Sequence, residues 1–430
     1  MRVRHQCIIL SDGPGVLARF CGVSILERQL RTLQRCGLKR AIILSATPES
    51  LEEHVTNPDS HRSQIEVQIR RRPEGPVMVE QISGIWPNDQ ESVLVIRGDY
   101  VLDSRLFQLL DEEDLPAALI DSAPPENLRP LVAPVAETSR GRLCGVALVS
   151  RGWMHARAGG FENVLRQEIE EEQIATIDLA ARCWDYPALR RVLRPFWFPA
   201  PAPDQRKMAE TVLLDAAQKG TQDIPALVHA PIENFIVSYL CKTPITPNQL
   251  TVFTNLAGWV ATFLFATGRS SWGIALALAV GVLDGLDGKQ ARVKVETSAV
   301  GKLEHWFDAL FENSWWIALA WHFRVSGQLP GAFGFLFLLL AAEGVGGLAK
   351  WAVIRARGRL IDELTPFDRV VRLVAARRNI HVWILAAGVL LGAPARAFVV
   401  IACWEAITST ILLVRAAWTL LASSRGEALP

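Results

Sequence analysis

From residue 249 onward the chain is a series of long apolar runs, and few architectures can accommodate that half. Segments near 249–268, 272–288, 303–323, 331–354, 380–396 and 397–421 each approach the ~20 residues that a bilayer core requires, the second being marginal. In lipid every backbone polar group has to be satisfied within its own element, so these runs predict six transmembrane helices. Lys and Arg set the orientation. The connection Lys289–Lys302 is basic, and the one from Lys350 to Arg378 is far more so, with Arg355, Arg357, Arg359, Arg369, Arg372, Arg377 and Arg378. The alternate connections Gly268–Trp272, Arg324–Pro330 and Gly392–Arg396 are short, with one arginine each. Both basic loops and both termini are therefore expected on the cytosolic side. Residues 1–240 hold most of the acids and read as soluble. The start, MRVRHQCIILSDG, has an apolar run of only four, too short for a signal peptide, so the first domain is expected in the cytosol.

Between Leu283 and Phe311 the chain reads LDGLDGKQARVKVETSAVGKLEHWFDALF. Asp284 and Asp287 stand three apart, and Glu304 and Asp308 four apart on a second helical stretch, so each pair shares a helix face. Carboxylates within membrane segments are expensive and face a partner, a cavity or an ion. Four of them converging across a short basic connection make an oxygen-lined site for one or two hard divalent cations, Mg2+ or Mn2+. Gly288 lets a backbone or ligand approach closely, and Arg292 supplies a planar fork for phosphate. These features predict a metal–diphosphate site.

The same residues resemble the signature of the CDP-alcohol phosphatidyltransferase family, D-x2-D-G-x2-A-R-x8-G-x3-D-x3-D. Asp284, Asp287, Gly288, Ala291, Arg292 and Gly301 match it position by position. Strict spacing would then place acids at 305 and 309, where this chain has His305 and Ala309; one residue fewer restores a pair at Glu304 and Asp308. The resemblance implies that Asp284, Asp287, Glu304 and Asp308 bind metal and that Asp308 is also the catalytic base. It implies a CDP-alcohol donor, an acceptor hydroxyl, release of CMP, a lipid bilayer and a homodimer. Gly288, Ala291, Arg292 and Gly301 would contact the CDP moiety. The segment Lys242-Thr-Pro-Ile-Thr-Pro-Asn-Gln-Leu-Thr is similar to one that precedes the first span in that family. Thr246 or Asn248 can cap the span, and Asn248 and Thr251 are the residues there that would reach the nucleotide.

The first half alternates strands and helices. Residues 7–10, CIIL, form a short buried strand that leads into Gly13, Gly15 and Arg19, and amides of such a loop hold phosphates. A helix from Ser24, ended by Gly37, precedes the strand Ala41–Ser45, and Ser92–Asp99 is a strand ending in an acid. An α/β doubly wound domain with its site at the carboxyl ends of the strands follows. The order of elements over about residues 5–195 resembles sugar-phosphate nucleotidyltransferases. That resemblance implies CTP binding by Gly13, Gly15 and Arg19, a metal on Asp99, and a late Trp184-Asp185 segment. The lysine that normally follows the glycines is missing. Pro195–Pro203, PFWFPAPAP, reads as a linker. The expected division is 1–200, a nucleotidyltransferase-like cytosolic domain; 201–242, linker and juxtamembrane helices; and 243–430, the membrane domain. The fusion resembles bifunctional inositol-phosphate cytidylyltransferase/di-inositol-phosphate-phosphate synthases, in which one half makes the CDP-alcohol and the other consumes it.

A net charge of +1 gives no general attraction to nucleic acid, and seven scattered cysteines suggest neither a zinc site nor a disulfide framework. Glu343 and Glu405 lie inside apolar spans and are read as structural hydrogen-bonding groups; Glu312 continues the Glu304–Asp308 stripe. Arg377 and Arg378 are candidates for the acceptor's phosphate. A six-span transporter or scaffold with a degenerate nucleotide-sensing domain is the competing reading, and metal-dependent CMP release separates the two.

Overall fold

The computed structural model describes residues 6–11, 14–58, 60–87, 89–186, 189–296 and 301–424; the side chains of 14, 301–308, 423 and 424 lie outside that description. The chain divides into two compact units. The first comprises Met1–Gln218, Ser238–Pro244 and Arg292–Glu296; the second comprises Lys219–Val237, Ile245–Ala291 and Thr297–Pro430.

In the first unit β1 (Gln6–Ser11) is buried along its whole length, as expected of a strand covered on both faces. Helix α1 (Ile25–Arg35) carries the chain to β2 (Arg40–Ser45), which pairs parallel with β1, and β3 (Glu66–Arg71) pairs parallel with β2. Strand β4 (Ser92–Arg97) lies on the other side of β1, also parallel. The chain then leaves the sheet in the short strand β5 (Tyr100–Leu102). Strands β6 (Ala117–Asp121), β7 (Gly141–Ser150) and β8 (Ala175–Asp178) complete the order β8-β6-β7-β4-β1-β2-β3, with β7 antiparallel to both neighbours. One face of the sheet, including Ile8, Ile42, Val95 and Ile120, packs on Trp153 and on Phe161 and Leu165 of α2 (Phe161–Glu170).

Two local expectations change. The chain does not pass directly from the glycine loop into α1: a short 3-10 turn at Pro14–Leu17 and a two-residue hairpin, Arg19–Phe20 with Val23–Ser24, intervene. Ser24 Oγ then caps α1 by accepting from the Glu27 N–H at 3.2 Å. Pro195–Pro203 is not a linker through its middle. Trp197–Pro199 forms β9, antiparallel to β5, with Trp197 and Phe198 fully buried. Burial of two large aromatics outweighs the proline signal, and the prolines sit at strand ends where a missing N–H is tolerated. Helix α3 (Arg206–Ala216) still belongs to the first unit.

The second unit is helical. After α4 (Ile224–Leu240) come α5 (Pro247–Ala266), α6 (Ser270–Lys294), α7 (Gly301–Val325), α8 (Ala332–Arg357), α9 (Pro366–Val374), α10 (Arg378–Leu390) and α11 (Pro394–Ser424). A capping box starts α5: Thr246 Oγ1 accepts from the Gln249 N–H and Gln249 Oε1 from the Thr246 N–H. Among the described residues four helices are long and apolar enough to cross a membrane: α5, α6, α8 and α11. The pair α9 and α10, bent by 40°, would make a fifth. The break before the last helix falls at Leu391–Ala393, overlapping the expected connection Gly392–Arg396, and Arg396 already lies in α11. Gly392, at φ 68°, ends one helix and Pro394 opens the next. The core joins Phe265, Phe311, Trp315, Phe323 and Phe398, and Trp315 Nε1 donates to the Gly258 carbonyl at 2.8 Å.

Candidate active sites

On α6 the two motif acids are held differently. Asp287 is buried, and its Oδ2 accepts from Thr251 Oγ1 at 2.6 Å while Oδ1 faces the Gly288 N–H. Asp284 is half-buried and pairs with the Arg378 guanidinium at the start of α10. The same guanidinium lies 5.8 Å from the Phe311 ring centre. Between the acids, a Cβ at Gly285 would collide with the Glu233 carboxylate on α4, so glycine permits that close approach. One turn on, Lys289 bonds the Asn234 side chain, and Gln290 Nε2 donates to the Ile245 carbonyl at 2.6 Å. The end of α6 that carries the acids is thereby tied to the elements before the first span.

Of the residues singled out from the sequence, Thr251, Asp287 and Gly288 are brought together, and Asn248 is exposed at the start of α5. Ala291 is half-buried further along α6. Arg292 belongs to the first unit, where its Nε donates to the Ala217 carbonyl at 2.7 Å. Gly301, Glu304, His305 and Asp308 fall on the first turns of α7, and their side chains lie outside the described residues. Among the described residues no three His, Cys, Asp or Glu side chains are grouped for a metal. The two acids on α6 nevertheless fit a hard cation, since they offer only oxygen and Asp284 has drawn a guanidinium to itself. The sequence points to Arg378 as an acceptor contact; its pairing with Asp284 is not legible there. Glu405 accepts from Ser409 Oγ at 3.0 Å and faces His381 at 3.4 Å, whereas Glu343 is exposed on α8.

In the first unit Asp99 follows β4, and both its oxygens are engaged by Arg97: Nε to Oδ1 and Nη2 to Oδ2, each 3.0 Å. Arg97 Nη1 also meets Glu162 on α2. Burial alone would lower the Arg97 pKa, but the hydrogen bond and charge of Asp99 raise it above its ordinary value. Alternate residues of an extended segment share a face, so the Arg97-Gly98-Asp99 spacing carried this signal. Gly13 lies outside the described residues. Gly15 packs against Ala200, whose N–H donates to the Asp99 carbonyl at 2.7 Å. Arg19 is exposed and donates to Ser60 Oγ at 2.9 Å. Asp185 is exposed in a short strand, and the Trp184 indole donates to the Leu179 carbonyl. A cavity of about 130 Å³ opens at the carboxyl end of β4, lined in part by Arg97, Tyr100, Gly145, Glu162 and Asn163.

The model of the CDP-alcohol phosphatidyltransferase family matches residues 244–421. A protein of Rubrobacter xylanophilus named bifunctional IPC transferase and DIPP synthase is 26% identical over 423 residues, covering 89% of this chain and 88% of that protein. A protein of the same name from Aquifex aeolicus is 26% identical over 241 residues, 56% of this chain and 54% of its own length. Among solved structures, the inositol-1-phosphate CTP transferase from T. maritima aligns with 49% of this chain and 96% of its own, at 12% identity and a TM-score of 0.35. The second unit therefore carries a CDP-alcohol phosphatidyltransferase domain. The chain joins this transferase domain to an N-terminal α/β domain with a mostly parallel sheet.

Proposed function

We propose that the membrane domain transfers a substituted phosphate from a CDP-linked polyol to an acceptor hydroxyl, with CMP as leaving group. The acceptor oxygen forms a bond to the phosphorus next to the polyol, the bond from that phosphorus to the CMP oxygen breaks, and the acceptor's proton passes to Asp308. Asp284, Asp287, Glu304 and Asp308 would hold Mg2+ or Mn2+, which when bound neutralises the diphosphate and stabilises the leaving CMP. Thr251 fixes the Asp287 carboxylate, and Gly288, Ala291, Asn248 and Gly301 are assigned to the CDP moiety. Arg378 is assigned to the acceptor's phosphate. The observation that carries this reading is the Asp284–Asp287 pair, with Thr251 on Asp287, inside the family-matched residues 244–421.

The resemblance to bifunctional inositol-phosphate cytidylyltransferase/di-inositol-phosphate-phosphate synthases points to inositol phosphate as the alcohol on both sides of the reaction. For the first unit it points to synthesis of the CDP-linked donor from CTP. Asp99 can serve there only when the Arg97 fork leaves it, and a triphosphate is the ligand that would draw Arg97 away. Six spans, cytosolic termini, insertion in a bilayer and a homodimer complete the proposal. Reconstituted full-length protein given CTP, inositol phosphate and magnesium should release pyrophosphate and then CMP, with a phosphodiester product seen by mass spectrometry. CMP release from supplied CDP-inositol that proceeds equally in EDTA would sink the metal assignment. Absence of CMP release with any CDP-alcohol would favour the transporter reading.

A further inference from the structure

A second cavity in the first unit contains a buried cation with no carboxylate bonded to it among the described residues. It has a volume of about 90 Å³, and Arg28, Thr32 and Arg35 of α1, Ser104, Tyr186 and Arg292 are among its lining residues. Arg28, Thr32 and Arg35 recur at helical spacing and so present one face of α1. Arg28 is 3% exposed. Its Nη1 donates to the Val293 carbonyl and its guanidinium lies 5.8 Å from the Phe20 ring centre. Its Nε and Nη2 have no hydrogen-bond partner, and among the described residues no other arginine has two such nitrogens. The acid lining the cavity, Asp103, is committed to Arg105 at 3.1 and 2.7 Å. A guanidinium stays charged in proteins, so burial leaves a full positive charge uncompensated, a condition that proteins rarely tolerate without a partner.

We infer that this cavity is a binding site for a single phosphate group, free or as the end of a small ester or lipid headgroup. Guanidinium forks match phosphate oxygens in geometry and charge, and the Ser104 and Tyr186 hydroxyls add neutral donors, while the Thr32 hydroxyl is committed to the Arg28 carbonyl at 2.7 Å. The volume is well below the ~300 Å³ at which sites for drug-sized ligands begin, so a phosphate fits and a nucleotide does not. Arg28 takes no part in the proposed reaction, and the site stands or falls independently of it.

The test is equilibrium binding of radiolabelled inorganic phosphate to the full-length protein in phosphatidylcholine nanodiscs, for wild type, Arg28→Met and Arg378→Met. Wild type should bind saturably at or below about 1 mM, and Arg28→Met should weaken that binding by about tenfold or more. Arg378→Met would remove only the separate contact assigned to the acceptor's phosphate, so the Arg28-dependent saturable component should persist in it. Competition by glycerol phosphate would identify a soluble ester as an equivalent source. Binding lost only in discs containing phosphatidic acid would identify a headgroup already seated in the cavity. Should Arg28→Met fail to fold, Ser104→Phe fills the cavity from its rim and should abolish the same binding. Equal binding in wild type and the cavity variants, no saturable binding in wild type, or loss in Arg378→Met alone would each overturn the assignment.

Discussion

The chain presents carboxylates at two candidate sites, and they are neutralised in opposite ways. After β4, Asp99 is gripped at both oxygens by Arg97, two residues before it. On α6, Asp284 meets Arg378 from 94 residues away, and Asp287 takes a hydroxyl from Thr251, 36 residues away. A partner built into the same short segment is present whenever the strand is formed. Partners that come from other helices depend on the tertiary arrangement. The difference teaches that a metal at either site would have to displace an arginine, a near neighbour in sequence at Asp99 and a residue of another helix at Asp284.

The largest expected effect breaks or keeps that contrast directly. Asp284→Asn or Asp287→Asn should lower CMP release from a CDP-alcohol by at least about a hundredfold, as loss of metal-borne transition-state stabilisation does. Asp99→Asn should leave it within about twofold, because only donor synthesis would use that acid. More than a tenth of wild-type turnover in either α6 variant would remove the distinction. Next in size are the acids of α7. Asp308→Asn should cripple turnover by about 10²–10⁴-fold with donor binding largely kept, the range of general-base catalysis. Glu304→Gln should weaken metal affinity, so that added manganese restores part of the rate. If His305→Ala is inactive while Glu304→Gln is near normal, strict spacing after Gly301 is the right alignment.

The contrast also explains what the sequence made legible. The motif is dense, with five of its six matched positions on α6, and the helix, its two acids and a cap at Thr246 or Asn248 were readable from local spacing. The partner of Asp284 was not, because only tertiary packing brings Arg378 to it. In the first unit the strands β1, β2 and β4 and helix α1 were readable from apolar runs and breakers. The hairpin at Arg19–Ser24 was hidden by its two-residue strands, too short to show a period. β9 was masked by prolines that ordinarily mark a linker, although Trp197 and Phe198 carried the opposing signal. The span count shows the same limit: apolar length marks a helix, but a bend such as that between α9 and α10 depends on local geometry that hydropathy does not register.

The strand reading of β9 has its own test. Trp197 is fully buried, stacks on Tyr100 with ring centres 6.4 Å apart, and donates to Asp121 Oδ2 at 2.9 Å. Trp197→Ala should destabilise the first unit by about 3–5 kcal/mol, read as early protease cleavage in the full-length protein on heating. Trp197→Phe should cost less, mainly the hydrogen bond and part of the volume. A neutral Trp197→Ala would restore the linker reading.

The smallest expected effect concerns a further buried carboxylate, Glu27 on α1, which is 1% exposed and bonded within the first unit. Its Oε1 meets Arg31 Nε at 2.7 Å and the N–H groups of Arg62 and Ser63 at 2.8 and 3.0 Å, and Oε2 meets His61 Nδ1 at 2.9 Å. Burial would raise its pKa, but the bonds from His61 and Arg31 and the Arg62 N–H outweigh it and hold the pKa below the ordinary value of 4.5. A depressed acid contributes stability that is complete above the unfolded pKa, because there both states are ionised and only the folded one has the partners. As pH falls below 4.5 the unfolded chain takes up the proton first, and the contribution is lost through the lower folded pKa. Heating the full-length protein at pH values from about 6 to about 3 should therefore show the first unit melting earlier as acid is added. Glu27→Gln should lower the midpoint at about pH 6 and flatten its decline, each kcal/mol being worth about 2–4 °C in a domain of this size. An unchanged slope would mean that other acids set the acid sensitivity of this unit. It would leave Glu27 as a packing residue whose charge contributes nothing net.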